Sequence, residues 1–236
     1  MRNLHKAYYK DYFKNLSFGY LLNNGEEPKS EIKSRNKDLT APNMLEVIPR
    51  NALVGQTFEL EISYPGLVTG VGINHEAKIE GEFKLGVHFD WVYGMPVVYG
   101  SSVKGVLRSY FKEFYKPTSE QPDVKAAFDD IFEGGKKSIY DRDIFFDAVL
   151  IKPDKKNRIL CSDSITPHGE NPLKNPIPIT FLKVASGCAL EFRFNLVDTQ
   201  IGELVFKKED KLRLFREILT TVGIGAKTNV GYGQLK

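Results

Sequence analysis

The stretch that decides the fold is VYGSSVKGVLRSYFKEFY, residues 98–115, which predicts a helix entered through a turn of glycine and serine. Apolar residues recur along it at helical spacing and would form one buried stripe. They are Val103, Val106, Leu107, Tyr110, Phe111 and Phe114. Ser101 or Ser102 can cap such a helix, and its free N–H groups and positive dipole end suit an anion.

Gly100 and Gly105 have the spacing of a nucleotide-binding P-loop, but the residues that follow do not fit one. A P-loop needs lysine and then serine or threonine directly after its second glycine. Val106 and Leu107 occupy those positions, which disfavours ATP. Lys104, Arg108 and Lys112 instead make a basic stripe at i, i+4 spacing. An anion site beside a row of cations fits a phosphodiester chain, although a capped helix with a solvated basic face shows the same pattern.

A second glycine-rich segment, GIGAKTNVGYGQLK, ends the chain at 223–236. Its glycines are Gly223, Gly225, Gly231 and Gly233, and such residues let a backbone take positive φ and approach a ligand closely. Tyr232 suits either base stacking or the core, and the core is the favoured interpretation. If this segment lies beside the 100–105 turn, the two form a cradle for RNA. No segment matches the aromatic strand of an RNA-recognition motif, so loops and helix ends are the expected contacts.

Hydrophobic periodicity predicts the remaining elements. They are a strand at 57–64 with Phe58, Leu60, Ile62 and Tyr64 inward, an alternating piece from Phe83 to Phe89, a central strand at 144–151, a hairpin at 179–197 turning at Ser186-Gly187, and a helix from about 209 to 221 ended by a left-handed Gly223. The order strand–helix–strand–strand–helix–strand predicts an α+β, ferredoxin-like fold, in which two helices cover one face of an antiparallel sheet. The insertions at 65–100 and 115–143 are too long for plain connectors and should add hairpins or helices.

The N-terminal region predicts a short amphipathic helix at about 3–16, followed by a polar stretch at about 23–43. The helix carries Tyr8, Tyr9, Tyr12 and Phe13, which suit either a subunit contact or packing against its own domain. The polar stretch has almost no large apolar residues and is interpreted as a flexible loop. We expect one domain over 1–236.

Composition bounds the class of protein. The chain has 236 residues, a formal net charge of +3 and two cysteines. Neither Cys161 nor Cys188 has the spacing of a zinc site or a disulfide framework, so reduced thiols are expected. No apolar run is long enough to span a bilayer, and we expect a cytoplasmic protein without a cofactor or metal.

Several segments together resemble the RAMP superfamily of CRISPR proteins, and within it the family of the sixth subunit of the type III-B (Cmr) effector complex. GVHFDWVYGMPVVYGSSVKGVLRSYF at 86–111 is similar to the superfamily's glycine–serine signature, and GIGAKTNVGYGQL at 223–235 to its C-terminal glycine-rich loop. LVTGVGINH at 67–75, FFDAVLI at 145–151 and DSITPHGENPLKNPIPITFLKV at 163–184 resemble the Cmr family. Tyr99 departs from the signature, which has proline there.

The resemblance implies a non-catalytic RNA-binding subunit in antiviral defence that binds the 3′-proximal part of the CRISPR RNA and caps the backbone filament. Its partners would be the CRISPR RNA, the repeating backbone RAMP subunit, the small helical subunit and another RAMP subunit. The predicted RNA-binding residues are Gly100, Ser101, Ser102, Lys104, Gly105, Arg108, Lys112, Gly223, Gly225, Lys227, Thr228 and Gly231.

Two other functions stay open from the sequence. A metal-dependent or acid–base ribonuclease would draw on His88, Asp90, Asp147, Asp163 or His168, although neither an HxxxH nor a paired-carboxylate spacing appears. An adaptor without RNA requires only that the basic stripe is solvated.

Overall fold

The structure is a computed structural model that describes residues 3–16, 26–70, 79, 81–83, 86–134, 137–166 and 178–236. Its strands are β1 (Gln56–Glu61), β2 (Val97–Val98), β3 (Ile144–Phe145), β4 (Ala148–Lys152), β5 (Leu160–Ile165), β6 (Ile179–Val184), β7 (Ala189–Asn195), β8 (Thr199–Ile201) and β9 (Leu204–Phe206). Its helices are α1 (Leu4–Lys6, continued by a π-helical turn Ala7–Asp11), α2 (Glu26–Leu39), α3 (Gly100–Phe114), α4 (Val124–Phe128, continued by a π-helical turn Asp129–Glu133) and α5 (Lys208–Val222). This mixture of helices and strands is the predicted class.

The main sheet is antiparallel and has the order β1–β7–β4–β2, with β3 also paired to β7. The C-terminus extends it, because Leu235 forms a bridge with Ile62 and the backbones of Glu61 and Lys236 exchange two hydrogen bonds. Phe58 and Leu60 are buried as predicted, but Tyr64 is exposed because the chain has already left the strand and turns there. The predicted strand therefore ends before Tyr64.

The predicted hairpin at 179–197 is wrong, although both of its strands exist. The chain turns at Ser186-Gly187, yet β6 pairs with β5 in a separate two-stranded sheet and β7 joins the main sheet. The physical reason is burial on both faces of β7. Phe192 and Phe194 enter the core on one face, while Glu191 and Arg193 are buried on the other. A strand of this kind belongs at the centre of a sheet, not in a hairpin exposed on one side.

The outer face of β7 is covered by the segment that precedes β1. Arg193 donates hydrogen bonds to the carbonyls of Ile48 and Pro49 at 2.6 and 2.9 Å, and Arg50 pairs with Glu191. Arg193 Nε also lies 2.6 Å from Glu191 Oε1. Burial alone would raise the pKa of Glu191, but hydrogen bonds from the two arginines outweigh it and lower the pKa. These contacts with the buried Glu191 and Arg193 thus hold the segment against β7.

The helices α3 and α5 contact each other and the main sheet. Phe215 of α5 meets Phe145 and Phe194 of the sheet at ring-centroid distances of 5.8 and 5.7 Å. A fully buried ion pair between Lys211 Nζ and Asp143 Oδ2, 2.6 Å apart, fixes the first turns of α5 beneath β3. The insertion at 115–143 carries α4 and further helical turns, as predicted.

The polar stretch at 23–43 is not a flexible loop where the structure describes it, because α2 occupies 26–39. Ile32 and Leu39 are buried, and they pack one face of α2 against the rest of the protein. Arg35 then ties it to the N-terminal helix through the carbonyls of Asp11, Tyr12 and Lys14. Residues 23–25 of the prediction lie outside the described residues.

The N-terminal helix is present but shorter than predicted, ending at Asp11. Tyr8 and Tyr12 are buried, which agrees with packing against the same chain, whereas Tyr9 is exposed. Residues 84 and 85 of the alternating piece at 83–89 lie outside the described residues, and its described part forms one bridge, Phe89 with Pro96, and not a regular strand. Phe83, Val87 and Phe89 are nevertheless buried. The alternating pattern in the sequence therefore predicted which side chains are buried, but not whether the segment pairs with another strand.

Candidate nucleic-acid interface

The start of α3 is capped by a residue from a distant strand. Asp147 Oδ1 accepts the N–H of Gly100 at 2.7 Å, and Tyr99 is the N-cap residue, without a side-chain capping bond. The predicted cap by Ser101 or Ser102 is therefore wrong, because both serines already lie inside the first turn and are exposed. The N–H of Gly100 is not free either. A carboxylate of the protein itself stands where an anion was expected.

Gly100 and Gly105 are glycines for different reasons. A Cβ at Gly100 would collide with the carbonyl oxygen of Phe145, so the protein's own packing demands glycine there. A Cβ at Gly105 would meet nothing within 4 Å, and the residue is exposed in the interior of α3. Glycine in a helix interior costs about 0.5–1 kcal/mol relative to alanine. Nothing in the described structure offsets that cost at Gly105.

The basic stripe lies on the surface of α3, but its three side chains differ in the groups that they contact. Arg108 forms a 2.5 Å ion pair with Glu133 in which both side chains are about half exposed, and this pairing lowers the pKa of Glu133. Lys112 lies 4.3 Å from the centre of the Phe128 ring. Lys104, nearest the start of the helix, lies 5.8 Å from the centre of the Phe145 ring. Among described residues no ion pair neutralises Lys104 or Lys112, and Lys112 is the more exposed of the two, so both lysines lack the pairing that occupies Arg108.

The C-terminal glycine-rich segment packs against the chain that follows β1. Ala226 donates to the carbonyl of Val68 at 2.8 Å and Gly233 to that of Gly66 at 2.8 Å. A Cβ at Gly223, Gly225 or Gly233 would collide with a backbone carbonyl, and each of these glycines has positive φ. Gly223 ends α5 as predicted, and its φ is positive, but its ψ of −171° places it outside the left-handed helical region. Most of this glycine content is therefore explained by close packing within the protein.

Four predicted residues of this segment are accessible: Gly225, which is exposed although packing requires glycine there, and Lys227, Thr228 and Gly231. Lys227 is half-buried with φ +62°, Thr228 is half-buried at the start of a short 3-10 turn, and Gly231 is half-buried with no atom nearer than 3.8 Å to an added Cβ. Tyr232 is in the core, as favoured from the sequence. Its hydroxyl donates to Asp163 at 2.9 Å and its ring meets Phe181.

The two segments are attached to different parts of the sheet. The start of α3 rests on the join between β3 and β4, and the glycine-rich segment rests on 62–68. A path of contacts connects them, because Thr69 follows Val68, its hydroxyl accepts the N–H of His88 at 2.7 Å, and the His88 ring stacks on Tyr99 at 4.5 Å. Convergence into a single groove stays a prediction.

The candidate nuclease residues have structural partners where they are described. Asp90 accepts the N–H groups of Val92 and Tyr93, and Asp163 pairs with Lys183 at 2.5 Å. Burial lowers the pKa of His88, which favours its neutral form near pH 7. His168 lies outside the described residues. Within the described ranges no group of three or more His, Cys, Asp or Glu side chains is placed to hold a metal ion.

Sequence reasoning missed the two carboxylates that shape the interface. It weighed Asp147 only as a nuclease candidate and did not single out Glu133. Both reach α3 from other elements, so no local spacing signals them.

In the part of the chain that the structure describes, no helix has the length and apolar character of a bilayer span. Both cysteines are free, as predicted.

The family model of the RAMP superfamily matches residues 59–236, which include α3 and the glycine-rich segment. The chain belongs to the RAMP superfamily. Among solved structures it is similar to one described as the cryo-EM structure of the type III-B Cmr-beta bound to cognate target RNA. That match has a TM-score of 0.52 and 20% identity, and it covers 93% of this chain and 67% of that chain.

A second similar structure is the crystal structure of Cmr6 from Pyrococcus furiosus. The match has a TM-score of 0.39 and 21% identity, and it covers 76% of this chain and 96% of that chain. No curated protein matches the sequence. The chain is thus a RAMP protein whose fold is similar to that of the type III-B Cmr-beta structure.

Proposed function

We propose that the protein is a non-catalytic, RNA-binding subunit of a type III-B CRISPR effector complex. It binds the 3′-proximal part of the CRISPR RNA and caps the backbone filament, in contact with the repeating backbone RAMP subunit, the small helical subunit and another RAMP subunit. Membership of the RAMP superfamily and the likeness in chain path to a Cmr structure support this proposal. The core is of ferredoxin-like type, supported by a sheet order in which the C-terminal segment lies beside β1 and β7 lies between β1 and β4. The role is in cytoplasmic antiviral defence.

The observation that carries the RNA proposal is Gly105. It is exposed, it weakens α3, and the surrounding side chains do not require it. Ser101 lies one turn before it, and the row of Lys104 and Arg108 lies beside it. A glycine between exposed hydroxyl groups and cations lets a sugar–phosphate backbone approach the helix closely.

Removal of the two cations nearest the start of α3 tests this function. For Lys104→Ala with Arg108→Ala we expect weaker binding of single-stranded RNA, and a slope of log K against log salt flatter by about 0.7–1.4. The range reflects the pairing of Arg108 with Glu133, which reduces its share of phosphate contact. Fluorescence anisotropy of labelled RNA at several salt concentrations measures both quantities.

The matched control removes one lysine and one arginine from the start of α5, where Lys207 is the N-cap residue and Arg213 lies within the helix. Lys207→Ala with Arg213→Ala takes away an exposed lysine and an arginine that is ion-paired with Asp210. It should leave the salt slope of RNA binding nearly unchanged. Equal slopes for the wild-type protein and the folded α3 variant would contradict the assignment. RNA fragments that accumulate with added Mg²⁺ or Mn²⁺ and disappear in His168→Ala would contradict the non-catalytic role.

A further inference from the structure

Three aromatic side chains form a row on the surface beside the N-terminal helix. His5 and Tyr9 come from α1 and its π-helical turn, and Trp91 comes from the turn at 91–93. The His5 ring centre lies 4.5 Å from that of Trp91 and 4.6 Å from that of Tyr9, with planes tilted by 48° and 40°. We call this row the aromatic strip. Trp91 is 76% exposed and Tyr9 47% exposed, so large ring surfaces face solvent.

Hydrogen bonds fix the backbone that carries the aromatic strip, although Trp91 and Tyr9 are not buried in the core. Tyr8 and Tyr12 on the same helix supply the buried contacts. The turn that carries Trp91 is closed by Asp90, whose Oδ1 accepts the N–H groups of Val92 and Tyr93 at 2.9 and 2.7 Å. The N–H of Leu4 donates to Gly94 at 3.1 Å, which fixes the helix against this turn. The strip is therefore preorganised for a ligand.

The charge beside the aromatic strip is positive. Lys6 and Lys10 are exposed and lie one turn apart on the helix, in the row next to His5 and Tyr9. Neither lysine makes an ion pair with the residues that the structure describes. The acidic neighbour Asp90 is committed to its turn. Aromatic faces beside lysines are the combination that single-stranded nucleic acids use, stacking their bases on rings and placing their phosphates near cations.

The aromatic strip leads back to the start of α3. Tyr9 meets Phe89 edge-on at 6.2 Å, and the preceding residue, His88, stacks on Tyr99. Burial, and after it the nearby Tyr99, raises the pKa of Tyr9. Because Tyr99 directly precedes Gly100 and Ser101, the strip continues the interface described above.

We propose that the aromatic strip is a base-stacking surface for single-stranded RNA that also contacts the start of α3. Trp91 and Tyr9 stack on bases, and Lys6 and Lys10 contact phosphates. The inference rests on the proposed function and extends the RNA contact beyond the glycine–serine turn. Its exposed lysines and polar ring atoms favour RNA over an apolar protein partner. Recognition is independent of base identity, because every base has a π-face.

The test uses Trp91 as a reporter, since it is the only tryptophan of the chain. The full chain is titrated with a mixed-sequence single-stranded RNA and with an abasic ribose-phosphate oligomer of the same length. We expect RNA to quench Trp91 fluorescence and to bind more tightly than the abasic oligomer. Trp91→Ala, read by anisotropy of labelled RNA, should weaken RNA binding by about 5- to 100-fold while leaving the salt slope unchanged. Trp91→Phe should retain most of the affinity.

Tyr140→Ala is the matched control, because Tyr140 is equally exposed, at 76%, and lies in a 3-10 turn of a different part of the chain. It should leave RNA affinity unchanged. The inference is overturned if RNA binds without changing Trp91 fluorescence and Trp91→Ala binds normally. In that case loss of binding in Lys104→Ala with Arg108→Ala would leave the proposed function standing. Shielding of Trp91 by partner subunits alone, without RNA, overturns the inference in favour of protein docking. Absence of RNA binding by the wild-type protein overturns both.

Discussion

At the scale of single residues, Gly233 and Gly105 differ in what the fold requires of them. Gly233 has φ +72°, and a Cβ there would collide with the carbonyl of Ile224. We expect Gly233→Ala to lower the free energy of unfolding by roughly 2–4 kcal/mol, through backbone strain and overpacking. Gly105→Ala should raise it by about 0.5–1 kcal/mol, because alanine favours a helix interior. Urea unfolding followed by circular dichroism measures both changes.

Gly105→Ala also separates stability from binding. If the glycine is present so that RNA can approach α3, the variant should be more stable and bind RNA more weakly. Equal RNA affinity with increased stability would remove Gly105 from the interface. Lower stability would show instead that the helix backbone departs from ordinary geometry at this position.

At the scale of elements, α3 depends on a carboxylate supplied by the join between β3 and β4. Asp147→Ala removes the acceptor of the Gly100 N–H and should lower the free energy of unfolding by about 1 kcal/mol. Asp147→Asn keeps an acceptor oxygen and should have nearly wild-type stability. Chemical denaturation distinguishes them, and equal stability of the alanine variant would mean that the capping bond contributes nothing net.

The strand β7 depends in the same way on buried charge. Because the folded-state pKa of Glu191 is below its ordinary value, its stabilising contribution is present above the unfolded pKa and is lost as pH falls through the lowered folded value. Glu191→Gln leaves Arg193 buried without its counter-charge and should lower the free energy of unfolding at pH 7 by about 3–5 kcal/mol. The difference from the wild-type protein should narrow below about pH 4. Glu203→Gln, on an exposed turn, is the control in urea titrations across pH, and a difference independent of pH would contradict this role for Glu191.

At the scale of the whole molecule, the sequence predicted elements better than their partners. The helix at 100–114 and the strand at 189–195 were predicted because periodicity is a local property. That β6 and β7 enter different sheets depends on which faces are buried, and Ser186-Gly187 makes a turn in either arrangement. The helix α2 was missed because little in its sequence is periodic. It is held in place by two buried apolar residues and by the hydrogen bonds of Arg35, and neither produces a strong periodic pattern.

The residues of the candidate interface were likewise predicted only in part. Ser101, Ser102 and Lys104 lie together at the start of α3, as a single helical turn requires. Glu133, Asp147 and the aromatic strip join this surface from distant parts of the chain, so only the folded molecule brings them together. The glycines of the C-terminal segment were noticed correctly, but most of them serve packing.

The carboxylate of Asp147 at the first turn of α3 has a consequence for how a nucleic acid would come and go. If RNA binds at the start of α3 as proposed, its phosphate would have to displace the Asp147 carboxylate from the Gly100 N–H and would not enter a vacant position. The affinity gained from the phosphate would be partly offset by the loss of the carboxylate's hydrogen bond. A short fragment would therefore bind weakly, whereas a long strand would keep its many other contacts. On the proposed function, such an exchange would favour long strands and speed the release of short fragments.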